Sequence, residues 1–124
     1  MDVLRRALGT LSLLYALIFL WFGLQHAGIG LGPEPVIVPA AIVETLCAAA
    51  MLIGAYGALT RRAWAWDGLI YTHATALAGV LLGILALALG RSEASPLLNG
   101  YHSSMAAVLA AGLAGAFYVS RVRR

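Results

Sequence analysis

Apolar residues run along this chain in four long blocks, at 7–25, 36–59, 64–88 and 101–119, separated by short polar or Gly/Pro-rich breaks. A hydrocarbon core of about 30 Å needs roughly 20 helical residues, and each block comes close to that. Strict apolar/polar alternation is absent, which excludes a β-barrel. The pattern therefore predicts an all-α protein, an integral membrane four-helix transmembrane bundle in one domain over residues 1–124.

The breaks support a compact bundle. Thr60–Ala63 is short enough to make the second and third spans antiparallel neighbours. GIGLGPEP, from Gly28, cannot continue a helix. RSEASPLLNG, from Arg91, is the longest connection; its Ser95-Pro96 and Asn99-Gly100 pairs read as turns, and it has the length to dip back as a lid.

Composition strengthens the reading. The chain is 62% hydrophobic and only 10% charged, whereas a soluble domain carries about 25% charge. The net charge is +3 and every basic residue is Arg. There is no basic stripe with interleaved aromatics, so no nucleic-acid partner is expected. Arg5, Arg6, Arg61, Arg62, Arg121, Arg123 and Arg124 fall at one end of the predicted bundle, and only Arg91, beside Glu93, falls at the other. The positive-inside rule then puts both termini in the cytoplasm of a bacterial-type inner membrane, with Trp64 and Trp66 in an interfacial aromatic belt. The first apolar run is too long for a signal-peptide core and no clear A-x-A site follows it, so it is read as a mature helix. Cys47 is the single cysteine, which excludes an intramolecular disulfide and marks it as a small packing residue.

Glu44 breaks the second span. An acidic residue in mid-membrane costs roughly 2.5–3.5 kcal/mol on insertion scales, and such residues are functional candidates by default. In apolar surroundings it is expected to be neutral and able to donate a hydrogen bond, for instance to a carbonyl oxygen. Its expected company toward the loop-bearing end is Gln25, His26, Tyr101 and His102, and toward the other end Thr72, His73 and Thr75. At about 1.5 Å per residue, Glu44 and His73 lie about 10 Å apart along the membrane normal, a gap suited to a bridging ligand or water. Tyr15 and Trp21 are candidates to line the interior beside them. The candidate ligand-binding set is thus Glu44, His73, His26, His102, Trp21 and Tyr15. The alternative for Glu44 is a structural one, a hydrogen bond that fixes helix register; His26 and His102 equally fit an interfacial position. Asp67, in the first turn of the third span, complements the helix dipole and has Arg61 and Arg62 within reach. No two histidines show the i, i+4 spacing of a helical metal pair, and bis-His haem would need His26 with His102 from separate helices; no metal site is assigned.

Small residues recur at helix spacing in Gly79-x-x-x-Gly83, in Ala107-x-x-x-Ala111-x-x-x-Gly115 and in Ala48–Ala50. Because lipid supplies no hydrophobic drive between helices, these are expected to pack inside the bundle, or else against a second copy.

RRALGTLSLLYALIFLWFGLQH (Arg5 to His26) and IVETLCAAAMLIGAYGALTRRAW (Ile42 to Trp64), followed by the helix that contains His73, resemble the DoxX-like family of small four-helix membrane proteins. The section from Glu44 to Ala63 is the most specific part. Members often carry a Lys soon after the glycine that ends the first helix; here Gln25 and His26 occupy that region. The resemblance implies a small subunit or accessory of a membrane quinone-linked redox system, with Glu44 and then His73 as the residues to test. It equally covers assembly factors for other membrane proteins. The chain holds no flavin, iron–sulfur or dithiol motif, so electrons would come from a partner redox subunit, and no intrinsic cofactor is expected beyond a bound quinone. A scaffold or assembly factor and a small proton-coupled transporter are the competing readings; membrane lipid, a partner membrane subunit and a second copy are the expected contacts.

Overall fold

A computed structural model of the chain describes residues 1–30, 32, 34–90 and 95–122. It contains four helices: α1 Asp2–His26, α2 Val38–Leu59, α3 Ala65–Ala88 and α4 Pro96–Val122. Each is long and apolar enough to cross a membrane, and no strand occurs among the described residues. The protein is a multi-pass membrane protein built as a four-helix bundle. Arg91, Glu93, Arg123, Arg124 and the first four residues of the expected lid, 91–94, lie outside the described residues.

Consecutive helices run antiparallel, so the N-terminus of α1, the α2–α3 turn and the C-terminus of α4 share one end, the terminal end. The α1–α2 and α3–α4 connections share the other, the loop end. At the terminal end Leu8, Ala58, Leu69 and Ala116, one from each helix, form a small closed cluster.

Two helices begin earlier than the hydropathy pattern predicts. Helix α1 starts at Asp2, five residues ahead of the apolar run, because Arg5 has a target: its guanidinium donates to the carbonyl of Ala58 in the last turn of α2 and reaches the Asp2 carboxylate at 3.4 Å. A cation at a helix C-terminus satisfies orphan carbonyls and complements the dipole. Helix α4 starts at Pro96, five residues ahead of prediction. Proline suits the first helical position, and the Ser95 hydroxyl oxygen accepts the Leu98 N–H at 3.0 Å as a cap. That hydroxyl donates to Glu34 at 3.1 Å, joining the two loop-end connections. Asn99-Gly100 is therefore helical and not a turn, which carries Tyr101 and His102 from the expected interface into the buried wall. Helix α2 ends where Arg61 takes a left-handed φ of 57° and Arg62 donates its N–H to Gly57 O at 3.0 Å, a common helix-stop geometry.

Backbones approach closely between consecutive helices and only sparsely between α1 and α4. Rings fill that wider seam: Phe22 stacks on Tyr101 at 3.8 Å between centroids, and Phe19 meets it edge-on at 6.3 Å. Small residues set the close approaches. A Cβ at Gly9 would sit 2.9 Å from Ala58 Cβ, and one at Gly79 would meet Cys47 Sγ and Val43. The α4 stripe does otherwise. Ala107 and Ala111 are exposed, a Cβ at Gly115 meets nothing within 4 Å, and the buried face of α4 is instead Leu98, Tyr101, His102, Met105, Leu109, Gly112, Ala116 and Val119. The larger side chains won the interior because the α1–α4 seam had to be filled.

These two glycine settings predict opposite outcomes. Gly9→Ala forces α1 off α2 and should cost about 1–3 kcal/mol; Gly115→Ala should be neutral or stabilise by about 0.5–1 kcal/mol. Unfolding in mild detergent, followed by circular dichroism, measures both.

Candidate functional site

The polar centre of the bundle follows from helix geometry. Side chains on an α-helix lean toward its N-terminus. His26, the last residue of α1, thus points back into the bundle, while Glu44, early in α2, leans toward the loop end. Gly23, whose added Cβ would lie 3.5 Å from Glu44 Cβ, lets the two helices come together at that level. The result is a contact of 2.7 Å between His26 Nδ1 and Glu44 Oε2. His26 is 0% exposed and Glu44 5%. The main chain locks the same corner, with Ile37 N–H donating to His26 O at 2.9 Å. Glu44 therefore has an imidazole, that of His26, as its partner. His26, expected near the interface, is instead sealed inside.

Beside the pair lies a cavity of about 350 Å³, within the range of small-molecule sites. Its polar wall is His26, Glu44, Cys47, Tyr101 and His102. Apolar residues of α2 and α3 make up most of the remainder, including Val43, Val80 and Leu87. Pro39 and Leu82 also line it and are exposed on the bundle's perimeter, so the cavity opens sideways between α2 and α3, toward lipid. Tyr101 lies within electrostatic reach of Glu44. The Cys47 thiol faces Ala76 O at 3.9 Å, the packing role expected of it.

His102 reaches the cavity from α4. Its Nδ1 is 2.8 Å from Leu98 O. A carbonyl only accepts, so Nδ1 carries the hydrogen, and in the neutral ring Nε2 then presents a lone pair. That Nε2 lies over Gly83, where any added Cβ would collide with it.

The remaining candidates sit elsewhere. His73 is fully buried, but it does not line the cavity. Its Nδ1 bonds to Leu69 O at 2.8 Å within its own helix, which turns the ring toward the terminal end. There it packs edge-on against Tyr15 at 6.3 Å and over Gly112. No ligand bridging Glu44 and His73 fits this arrangement. Tyr15 is interior, as expected, but beside His73. Trp21 is 56% exposed on the outer face of α1; the inward face carries Tyr15, Phe19, Phe22 and His26, and position 21 falls off it. Gln25 is buried under the α1–α2 loop, accepting from Gly32 N–H at 2.7 Å. Asp67 is exposed in the first turn of α3.

Sequence reasoning missed Gly83, Pro39 and Leu82 as cavity residues. The Gly79-x-x-x-Gly83 spacing was a usable signal, but it marks close packing at Gly79 and room for a ring at Gly83. Among the described residues, no group of three His, Cys, Asp or Glu side chains stands close enough to hold a metal ion. No protein-family model, curated protein or solved structure matches the chain.

Breaking the pair from either side leaves a buried polar group orphaned, at a cost of about 1–3 kcal/mol. His26→Leu and Glu44→Leu should each destabilise by that order, and the double variant by clearly less than their sum, giving a coupling of at least about 1 kcal/mol. A double-mutant cycle on unfolding in mild detergent reads this directly.

Proposed function

We propose that the protein is an accessory or small subunit of a membrane redox system that binds a lipophilic, quinone-class molecule in the cavity beside His26 and Glu44. The observation that carries this reading is the cavity itself: it is open sideways to lipid, mostly apolar, and has a buried His–Glu pair, Tyr101 and His102 on its polar wall. Pockets for small lipophilic ligands combine an apolar lining with a few placed polar groups in this way. The resemblance of Arg5–His26 and Ile42–Trp64 to the DoxX-like family puts quinone-linked chemistry first among lipophilic ligands. The chain's lack of an electron-carrying motif assigns electron supply to a partner subunit. On this reading both termini face the cytoplasm of a bacterial-type inner membrane, in keeping with the arginines, and the cavity sits in the outer leaflet.

The test is to purify the protein and Glu44→Gln in mild detergent and identify co-purifying lipophiles by mass spectrometry. A quinone enriched with the unmodified protein, and reduced at least about tenfold in the variant, supports the reading. No enriched molecule, with the variant merely less stable, moves the assignment to a scaffold whose Glu44 holds helix register.

A further inference from the structure

We infer that the cavity selects the hydroxyl-bearing form of its ligand, a quinol or phenol, over the carbonyl-bearing quinone. The inference rests on the cavity being a ligand site, as proposed above, and names which redox form it holds.

His102 reaches the cavity from α4. Its Nδ1 hydrogen is committed to Leu98 O at 2.8 Å, so the neutral ring offers Nε2 as an acceptor only. That atom has no hydrogen-bond partner among the described residues, and it lies over Gly83, itself part of the cavity lining. His102 keeps 8% of its surface open, in contrast to His26 and His73, which are 0% exposed and whose Nε2 atoms are buried with no hydrogen-bond partner among the described residues. Of the three imidazoles, then, His102 is the one placed to meet a ligand, and it meets it with a lone pair. Two other polar groups of the wall already have partners. Glu44 Oε2 holds His26, and the Cys47 thiol faces Ala76 O.

A hydroxyl satisfies the His102 lone pair. A carbonyl oxygen there sets one acceptor against another and leaves both unpaired, a penalty that separates hydroxyl from non-hydroxyl ligands strongly in built sites. An ammonium ligand is disfavoured because it would have to shed its water in a mostly apolar cavity, a cost that a neutral hydroxyl ligand does not meet. The cavity's sideways opening between Pro39 and Leu82 admits a lipid-dissolved ligand without passage through water.

The experiment uses the full chain in lipid nanodiscs and measures binding of a short-chain ubiquinol, kept reduced, against the matching ubiquinone. A second pair that cannot change redox state, an alkylphenol and its methyl ether, is measured alongside. The hydroxyl member of each pair should bind at least about tenfold tighter, and His102→Leu should erase that ratio while circular dichroism shows the helices intact. Equal binding within both pairs overturns the inference and leaves the cavity reading standing. Binding of neither member of either pair overturns both. Tighter binding of an alkylammonium than of the alkylphenol also overturns the inference. Should His102→Leu fail to fold, the ratios in the unmodified protein still decide the matter.

Discussion

A carboxyl group inside a membrane needs a partner, and the contact between Glu44 and His26 is the constraint around which this bundle is arranged. It joins the last residue of α1 to the second turn of α2 at 2.7 Å, where water is excluded and a one-sided loss is most costly. Gly23 opens the space for it and the Ile37–His26 main-chain bond closes the corner. At the opposite end Arg5 performs a matching service, donating to the Ala58 carbonyl in the last turn of α2. The α1–α2 pair is thus pinned at both ends by polar contacts, and in between by close backbone packing.

The same arrangement creates the cavity. With α1 bound tightly to α2, the seam toward α4 stays wide, and Phe19, Phe22 and Tyr101 fill it. Toward the loop end the gap between α2, α3 and α4 remains open as the cavity. Gly83 leaves room there for the His102 ring. Packing, hydrogen bonding and the candidate function therefore share one origin. The polar group that makes the bundle expensive to build in lipid is also the group that gives its cavity chemistry.

Four helices, their order and the antiparallel layout were legible from the apolar blocks, because hydrocarbon thickness leaves little freedom in span length. Glu44 stood out for the same reason. What the pattern could not resolve was rotation about each helix axis. Trp21 and the Ala107–Ala111–Gly115 stripe were expected inside, yet both face outward; nearly uniform hydrophobicity around a span erases the amphipathic signal that fixes a soluble helix. His73 was expected to share a ligand with Glu44, but its bond to Leu69 O turns it to the other end of the bundle. His102 seemed interfacial until Ser95 and Pro96 moved the start of α4 back by five residues. Local capping chemistry, which hydropathy averages away, brought His102 to the cavity.

The central claim is that a lipophilic ligand enters between α2 and α3 and lodges beside Glu44 and His102. Photolabelling in native-like membranes tests it most directly, using a short-chain quinol that carries a diazirine and mapping the adducts by mass spectrometry. The account predicts adducts concentrated on residues 37–47 and 79–87, suppressed by excess unlabelled quinol. Adducts spread evenly over the lipid-facing residues of all four helices, with no suppression, would contradict it.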